Sequence, residues 1–247
     1  MKIESTILNV LSNARAEENK LYLTGELDRN IYLKTNKVLE AAGAKWNKKI
    51  KAHLFESDAQ ERIDQIILTG EITIPKDDFE FFPTPPELAK KVIDLAEIKS
   101  GMSVLEPSAG IGALAKEAAA VGGVSLSMYE LNPEHNRHLK SLNIGFVHEA
   151  CDFLKSVPVE SFDRVIMNPP FGKQADIKHV THALKFLKPN GILIAIMSSS
   201  ITFRTNKLTL EFLELLKSRN HEIISLPEKS FSSSGTNVNT VILKVIN

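Results

Sequence analysis

The sequence predicts an α/β chain in which an open, doubly wound, mostly parallel sheet follows a small α+β module. Three observations carry that prediction. The stretch Ser103-Val104-Leu105-Glu106-Pro107-Ser108-Ala109-Gly110-Ile111-Gly112-Ala113-Leu114-Ala115 reads as a strand, a small-residue turn and a helix, the first βα unit of such a sheet. Further apolar strands follow, and the segments they deliver end at polar side chains: Glu106, Glu130, Asp152 and Asn168. Ligands of open parallel sheets sit at the carboxyl ends of the strands, where these residues fall. The chain of 247 residues, 43% hydrophobic, is also long enough for one sizeable core and a small second one. The expected domains are 1–78 and 79–247.

Lys and Arg number 30 and Asp and Glu 30, so the formal net charge is zero. A neutral total excludes nothing about nucleic acid, because a local basic patch is what binds phosphates. Cys151 is the only cysteine, so no internal disulfide is expected, and no Cys/His spacing suggests a metal site. With no leader and no apolar run near twenty residues, the chain is expected to be neither secreted nor membrane-spanning. The cytoplasm of a bacterium or of a phage-infected cell is the expected location.

Residues 1–20 are polar with a short helix at most. Leu21-Tyr22-Leu23 reads as a strand, Gly25 to Arg29 as a turn, Val38 to Ala42 as a helix stopped by Gly43, and Ala52 to Phe55 as a returning strand. Between them lies Ala44-Lys45-Trp46-Asn47-Lys48-Lys49-Ile50-Lys51, a cationic run with the only tryptophan. Lys45, Lys48 and Lys49 around Trp46 suit a phosphate backbone with a base to stack on. Equally, Trp46 caps a small core; for the lysines a solvated hairpin edge is the alternative, and nucleic-acid contact is favoured. A helix from Ala59, a short strand Glu71 to Ile74 and a charged linker complete the module.

The second domain opens with Phe79-Glu80-Phe81-Phe82-Pro83-Thr84-Pro85-Pro86 and a helix carrying Leu88, Val92, Ile93 and Leu95. Pro86 suits the first helical turn and Thr84 lies near its N-terminus, which an ordinary helix cap also explains. Gly110 and Gly112 let the backbone approach a ligand, but the three-glycine dinucleotide fingerprint is not met. Glu130 lies 20 residues past Gly110, where a carboxylate holds a ribose diol. The alternative is an acid at the N-terminus of the helix that Asn132-Pro133 starts. The third strand, Ile144 to His148, leads to Asp152 and Phe153. Cys151 has no evident His partner and is not expected to be a nucleophile. A helix through Leu187, a turn at Pro189 to Gly191, and strands at Ile192 to Met197, Glu222 to Leu226 and Val238 to Ile246 close the domain, with a helix from Leu208 to Lys217. Lys173, Lys178 and His179 either reach a phosphate backbone or form a solvated face.

The fourth strand ends Val165-Ile166-Met167-Asn168-Pro169-Pro170-Phe171-Gly172. Proline has no N–H for a ladder and fixes its φ, so Pro169 and Pro170 end the strand in a stiff loop. That loop holds the Asn168 side-chain oxygen, the Pro169 carbonyl and the Phe171 ring. Two acceptors beside a flat apolar face grip a planar group bearing an –NH2, and an exocyclic amine on a base fits. Its nitrogen is a poor nucleophile because the lone pair is delocalised, and two acceptors on its N–H groups favour a pyramidal nitrogen aimed at an electrophile.

Asn-Pro-Pro-Phe after a strand, with Glu-Pro-Ser-Ala-Gly-Ile-Gly before it, resembles the N6-adenine DNA methyltransferases that use S-adenosylmethionine, over residues 79–247. The resemblance implies a Rossmann-like class I fold with a seven-stranded sheet. It implies Asn168, Pro169, Pro170 and Phe171 as the catalytic loop. It implies that Phe82, Thr84 and Pro85 touch the methionine end of S-adenosylmethionine, that Glu106 accepts from its ammonium, and that Pro107, Ser108, Gly110 and Gly112 pass under it. Glu130 would then hold the ribose, Leu131 would pack on the adenine, and Asp152 and Phe153 would contact its amino group and ring. Phe231, in a Leu-Pro…Phe…Gly-Thr loop, would sandwich the flipped target base with Phe171, unless it is a loop anchor. The Gly43-Ala44-Lys45-Trp46-Asn47 … Lys51-Ala52-His53-Leu54-Phe55 pattern is similar to a module at the front of phage- and plasmid-type relatives. DNA is the expected partner and no metal is required. With no long insert and nothing after Asn247, either residues 1–78 read DNA or recognition of short, frequent sites is weak; the latter is expected, with the basic module supplying affinity, as in self-protection against restriction. RNA adenine or guanine and protein glutamine are the alternative acceptors, and a non-catalytic nucleic-acid-binding subunit is the alternative class.

Overall fold

The structure, a computed structural model, describes residues 3–55, 58–72, 83–227, 230–231 and 238–247. The chain divides into two compact units, Met1–Asp78 with Ser199–Leu210, and Phe79–Ser198 with Glu211–Asn247. The stretch Ser199–Leu210, which the sequence alone assigns to the second domain, groups with the first.

The first unit holds α1 (Ser5–Ser12), β1 (Arg15–Glu17), β2 (Lys20–Tyr22), α2 (Arg29–Ala41), β3 (Lys45–Asn47), β4 (Ala52–Leu54) and α3 (Ala59–Thr69). Its strands form an antiparallel sheet in the order β1-β2-β4-β3. Sequence reading finds β2 and β4 but misses β1 and β3, which have the same three residues each but carry no buried residue to mark them. Helix α2 begins where the Asp28 carboxylate accepts from Asn30 N and Ile31 N, and α3 where Asp58 accepts from Glu61 N. Gly70, with φ 67, closes α3 in the left-handed region. The β3–β4 turn is set by Asn47, whose Oδ1 accepts from Lys49 N at 3.0 Å and Ile50 N at 3.4 Å. Leu11, Leu21, Leu39, Ile63 and Ile66 fill the core, with Phe203 packed against it. Arg204 is buried with Asp64, its Nη2 3.6 Å from Oδ1, which ties the later stretch into this unit. The expected strand Glu71 to Ile74 lies partly outside the described residues.

The second unit holds α4 (Pro86–Ala96), β5 (Ser103–Glu106), α5 (Ala113–Ala120), β6 (Ser125–Met128), α6 (Pro133–Leu142), β7 (Phe146–Val147), β8 (Phe162–Met167), α7 (Ala175–Ala183), β9 (Leu187–Ser198), β10 (Asn220–Ser225) and β11 (Thr240–Ile246). A further helix, α8 (Lys207–Lys217), precedes β10. The seven-stranded sheet has the order β10-β11-β9-β8-β5-β6-β7. β5 to β9 run parallel, and β11 is antiparallel to β9 and to β10. This is the expected Rossmann-like α/β architecture. Ile192 to Ser198 of β9 are all buried, as a parallel strand covered on both faces requires. The expected helix through Leu187 is shorter: α7 stops at Ala183, a 3-10 turn spans Leu184–Phe186, and β9 starts at Leu187.

Helix α4 starts at Pro86, buries Leu88, Ala89, Val92, Ile93 and Ala96 at helical spacing, and stops at Glu97 in the left-handed region. The Arg164 guanidinium, on β8, donates to the carbonyls of Ala96 and Glu97 and satisfies the end of that helix. At the feet of β5 and β8 the Asp163 carboxylate accepts from Ser103 N at 2.8 Å, Ser103 Oγ at 2.7 Å and Lys188 Nζ at 3.0 Å.

The two Ser103 hydrogen bonds, with Lys188 behind them, bring the Asp163 pKa from 3.8 down to about 2. A depressed carboxylate stabilises the fold above its unfolded pKa and loses that contribution as pH falls through the folded one. Asp163→Asn should therefore lower Tm at neutral pH, and the gap to the wild type should narrow between pH 4 and pH 2. Thermal melts across that range test it, and a gap independent of pH would reject the ionic role. Water reaches this carboxylate, so the gap will be modest.

Candidate active site

The chain runs from β5 outward through β6 and β7, then returns to β8 on the other side of β5. The carboxyl ends of β5 and β8 thus flank the point where strand order reverses, and a crevice opens there in sheets of this type. Glu106 ends β5 and Asn168 follows the last residue of β8.

Glu106 is 2% exposed, and its Oε2 is buried with no hydrogen-bond partner among the described residues. Burial pushes its pKa well above the usual carboxylate range, and the nearby charge of Glu130 adds to the rise. A buried carboxyl with an idle oxygen suits a ligand that brings a cation with N–H donors. The donor chemistry fits the ammonium of an amino acid moiety.

The turn after β5 is held from β6. Glu130 accepts from Gly110 N at 2.7 Å through Oε2 and from Asn132 N at 2.7 Å through Oε1. It therefore braces both the turn and the entry to α6, and each oxygen keeps a second acceptor direction. Ala109 N donates to the carbonyl of Tyr129, locking the turn to the adjacent strand end. Gly112 has φ 84, and a Cβ there would stand 3.0 Å from Leu139 Cδ2 and 3.1 Å from Leu142 Cδ1. That glycine serves backbone conformation and the approach of α6. Pro107 is buried and Ser108 half-buried. Leu131 is 65% exposed at this rim, an apolar surface open to a flat ring.

Asp152 accepts from Leu154 N at 3.0 Å and caps a 3-10 turn at Phe153–Lys155. The Phe153 ring is buried, with Tyr129, His179, His182 and Phe186 around it at centroid distances of 5.3, 6.3, 4.9 and 5.1 Å. It anchors the floor beside Asp152 and offers little open face. His179, read from sequence as a candidate phosphate contact, is largely enclosed, and burial lowers its pKa.

At the carboxyl end of β8, the Asn168 Nδ2 donates to Thr84 Oγ1 at 3.1 Å, and its Oδ1 is buried. Phe171 and Phe231 are both buried, with centroids 6.4 Å apart and planes at 87°. They pack edge to face on each other, and stacking a base between them needs a ring to turn. Lys173 is exposed. With Gln174 it occupies the left-handed region, at φ 54 and 56. Two consecutive non-glycine residues there store strain next to the loop, which no sequence pattern announces.

Sequence reading also misses Asp176. Its buried carboxylate accepts from Ile177 N at 2.9 Å and from Ser198 N at 3.0 Å, pinning the start of α7 to the end of β9. An acid in the first turn of α7 was the only available signal. Phe82 lies outside the described residues. In the first unit, Lys45, Lys48 and Lys49 are exposed and Trp46 is 45% exposed. Trp46 pairs with His53 across the strands and its ring sits 4.8 Å from the imidazole, on the face that carries Leu21. Lys45, one residue away on β3, points to the opposite face. Among the described residues no group of His, Cys, Asp and Glu could hold a metal ion, and no helix is long and apolar enough to cross a membrane.

Residues 89–222, more than half of the chain, match the methyltransferase small domain model. The chain belongs to this family. Its cofactor is S-adenosylmethionine, which the buried Glu106 carboxyl suits. Among curated proteins it is 27% identical over 130 residues to a tRNA (guanine(10)-N2)-dimethyltransferase of Methanocaldococcus jannaschii, covering 44% of this chain and 36% of that one. It is 32% identical over 108 residues to the type II methyltransferase M.TthHB8I of Thermus thermophilus, covering 42% and 24%. The matches thus span about a third or less of these curated relatives. A type I restriction–modification methyltransferase subunit from Streptococcus thermophilus shares the fold, with a TM-score of 0.59 at 21% identity over 74% of this chain and 48% of that one.

Glu106→Gln is expected to weaken S-adenosylmethionine binding at least tenfold by calorimetry, since it removes the charge but keeps the shape. Binding a cation favours the ionised carboxyl. Wild-type affinity should therefore rise with pH through the range where Glu106 gives up its proton, and the variant should lose that dependence. Equal affinities and equal pH profiles would remove Glu106 from the cofactor site.

Proposed function

We propose that this chain transfers a methyl group to the N6 amine of adenine in DNA. The observation that carries the reading is the Asn168 amide, fixed in a stiff proline loop at the carboxyl end of β8, beside the strand that ends in Glu106. DNA is favoured over RNA by the 32% identity to a type II methyltransferase. A second reading, the N2 amine of guanine in RNA, has its own support in the archaeal tRNA enzyme, since both acceptors are amines on planar bases.

S-adenosylmethionine, when bound, supplies an electrophilic methyl on sulfonium sulfur. Glu106 holds the ammonium end, Glu130 the ribose hydroxyls, and Leu131 with Asp152 the adenine end. Pro107, Ser108 and Gly110 line the turn between them, with Thr84 and Pro85 near the methionine end. Asn168 Oδ1 and the Pro169 carbonyl accept from the target amine, which pyramidalises the nitrogen and directs its lone pair. With S-adenosylmethionine bound, the amine nitrogen would take its methyl as the sulfur–carbon bond gave way, and the surplus amine proton would pass to solvent. No side chain has to remove it beforehand, so positioning supplies most of the acceleration. The base reaches the site only when it leaves the duplex stack, and Phe171 then stacks on it with Phe231 opposite. Lys173 stands at the rim for a phosphate. The exposed lysines of the β3–β4 hairpin and Trp46 add affinity for the backbone, independent of sequence.

Tritiated methyl transfer to unmethylated DNA, followed by nucleoside analysis, tests the reaction and the acceptor together. N6-methyladenine is the expected product. Label found only in RNA guanine would replace the proposal with the second reading. Asn168→Ala should reduce turnover by about 10³-fold while cofactor affinity stays within a few fold, by analogy with loss of a positioned transition-state contact. Loss of cofactor binding in that variant would count against its role.

For the hairpin, Lys48→Ala with Lys49→Ala should flatten the plot of log affinity against log salt by about 2 for duplex DNA. An unchanged slope would take the hairpin off the nucleic acid.

A further inference from the structure

The chemistry of the proposed site depends on which end of one amide faces the acceptor. The two ends of an asparagine amide are nearly the same size but opposite in role: the oxygen accepts and the nitrogen donates. An oxygen toward the target amine accepts its proton and keeps the nitrogen lone pair free. A nitrogen in that place would either repel the amine or donate into the lone pair that must attack. Rotation about the last side-chain bond exchanges the two outcomes, and β8 alone does not choose between them.

We propose that Thr84 makes the choice: it is a positioning residue that turns the Asn168 amide nitrogen inward and leaves the oxygen for the substrate amine. The inference rests on the reading of Asn168 as the amine holder. Thr84 Oγ1 lies 3.1 Å from Asn168 Nδ2 and accepts from it. The threonine itself is buried. It is followed by Pro85, the N-cap of α4, and Pro86, its first residue, and preceded by Pro83, so its backbone has little freedom. Its side chain is branched at Cβ, which restricts χ1, and the hydrogen bond to Asn168 selects the position of the hydroxyl. Helix α4 is packed on β8 and β9, so the hydroxyl and the amide belong to one rigid framework. Sequence separation is large, 84 residues, and no local pattern links the two.

Two variants separate this role from cofactor contact and from general packing. Thr84→Val keeps the shape and removes the acceptor; Thr84→Ser keeps the acceptor. The expected result is a fall in kcat of about 10- to 100-fold for Thr84→Val, with the KM for S-adenosylmethionine within about threefold, and near wild-type kcat for Thr84→Ser. In an Asn168→Ala background, Thr84→Val should have no further effect. A raised KM with unchanged kcat would make Thr84 a cofactor ligand only and overturn the proposal, as would additive losses in the double variant. A second measurement needs neither activity nor the valine variant. In wild-type protein, one side-chain amide proton of Asn168 should be protected from solvent exchange by NMR, and should shift in Thr84→Ser. An unprotected pair overturns the role of Thr84. A protected pair together with no transfer to DNA would instead overturn the proposed acceptor and leave Thr84 in place.

Discussion

The parallel pairing of β5 with β8 is the constraint on which the rest of the second unit depends. Val104 lies opposite Arg164 and Leu105 opposite Val165, and this register puts Glu106 and Asn168 at one edge of the sheet. Side chains alternate along a strand, so a slip of one residue would send Glu106 to the other face. The feet of both strands carry the device that prevents it. Asp163 takes two hydrogen bonds from Ser103 and one from Lys188, which joins β5, β8 and β9 at the end opposite the site. Arg164 next to it caps α4, the helix that follows Thr84. Register at the bottom thereby becomes geometry at the top.

Much of this architecture was legible because a strand end is a chemical boundary. A run such as Val165-Ile166-Met167 has to be buried, and the polar residue after it has to face whatever lies at the edge. Glu106, Glu130, Asp152 and Asn168 were readable on that ground. What was illegible falls into two physical classes. Very short elements with no buried residue have neither period nor apolar mark, so β1 and β3 passed unnoticed, unlike β2 and β4 of the same length, and β7 shrank to Phe146–Val147. Long-range contacts leave no local mark: the Asp176 bond to Ser198, the Thr84 bond to Asn168, and the return of Arg204 to Asp64 in the first unit all join distant segments. Gly112 has a further reason that sequence does not show, since a Cβ there would meet Leu139 and Leu142 of α6.

The polar groups of the site divide by how much of their hydrogen-bonding capacity the protein already uses. Glu130 and Asp152 each support the local backbone, Glu130 by holding Gly110 and Asn132, Asp152 by capping a turn. Those bonds set the shape of the site before any ligand arrives. Glu106 differs, because its buried Oε2 has no hydrogen-bond partner among the described residues, and a backbone hydrogen bond from Ala115 offsets only part of the carboxyl's desolvation. An unsatisfied buried polar atom costs about 1–3 kcal/mol, and more when charged. A cationic ligand with N–H groups relieves that cost, so the penalty in the empty protein favours binding and discriminates against ligands without a cation.

The amine end and the ring end of the site are prepared differently. Everything around Asn168 is stiff: two prolines follow it, Thr84 holds its nitrogen, and Lys173 and Gln174 sit in a strained conformation that the surrounding packing sustains. Phe171 and Phe231 instead rest against each other. An edge-to-face aromatic contact is worth about 0.5–1.5 kcal/mol beyond burial, and a base stacked on an aromatic ring about 1–3 kcal/mol. An incoming base can therefore replace the contact the rings make with each other, whereas a small amine without a ring cannot. On the proposed reading, the closed pair filters for planar acceptors and the amide acts on those that pass it. On that reading, selectivity for a base and reactivity toward its amine reside in different side chains, with Phe231 in the segment between β10 and β11 and Asn168 after β8.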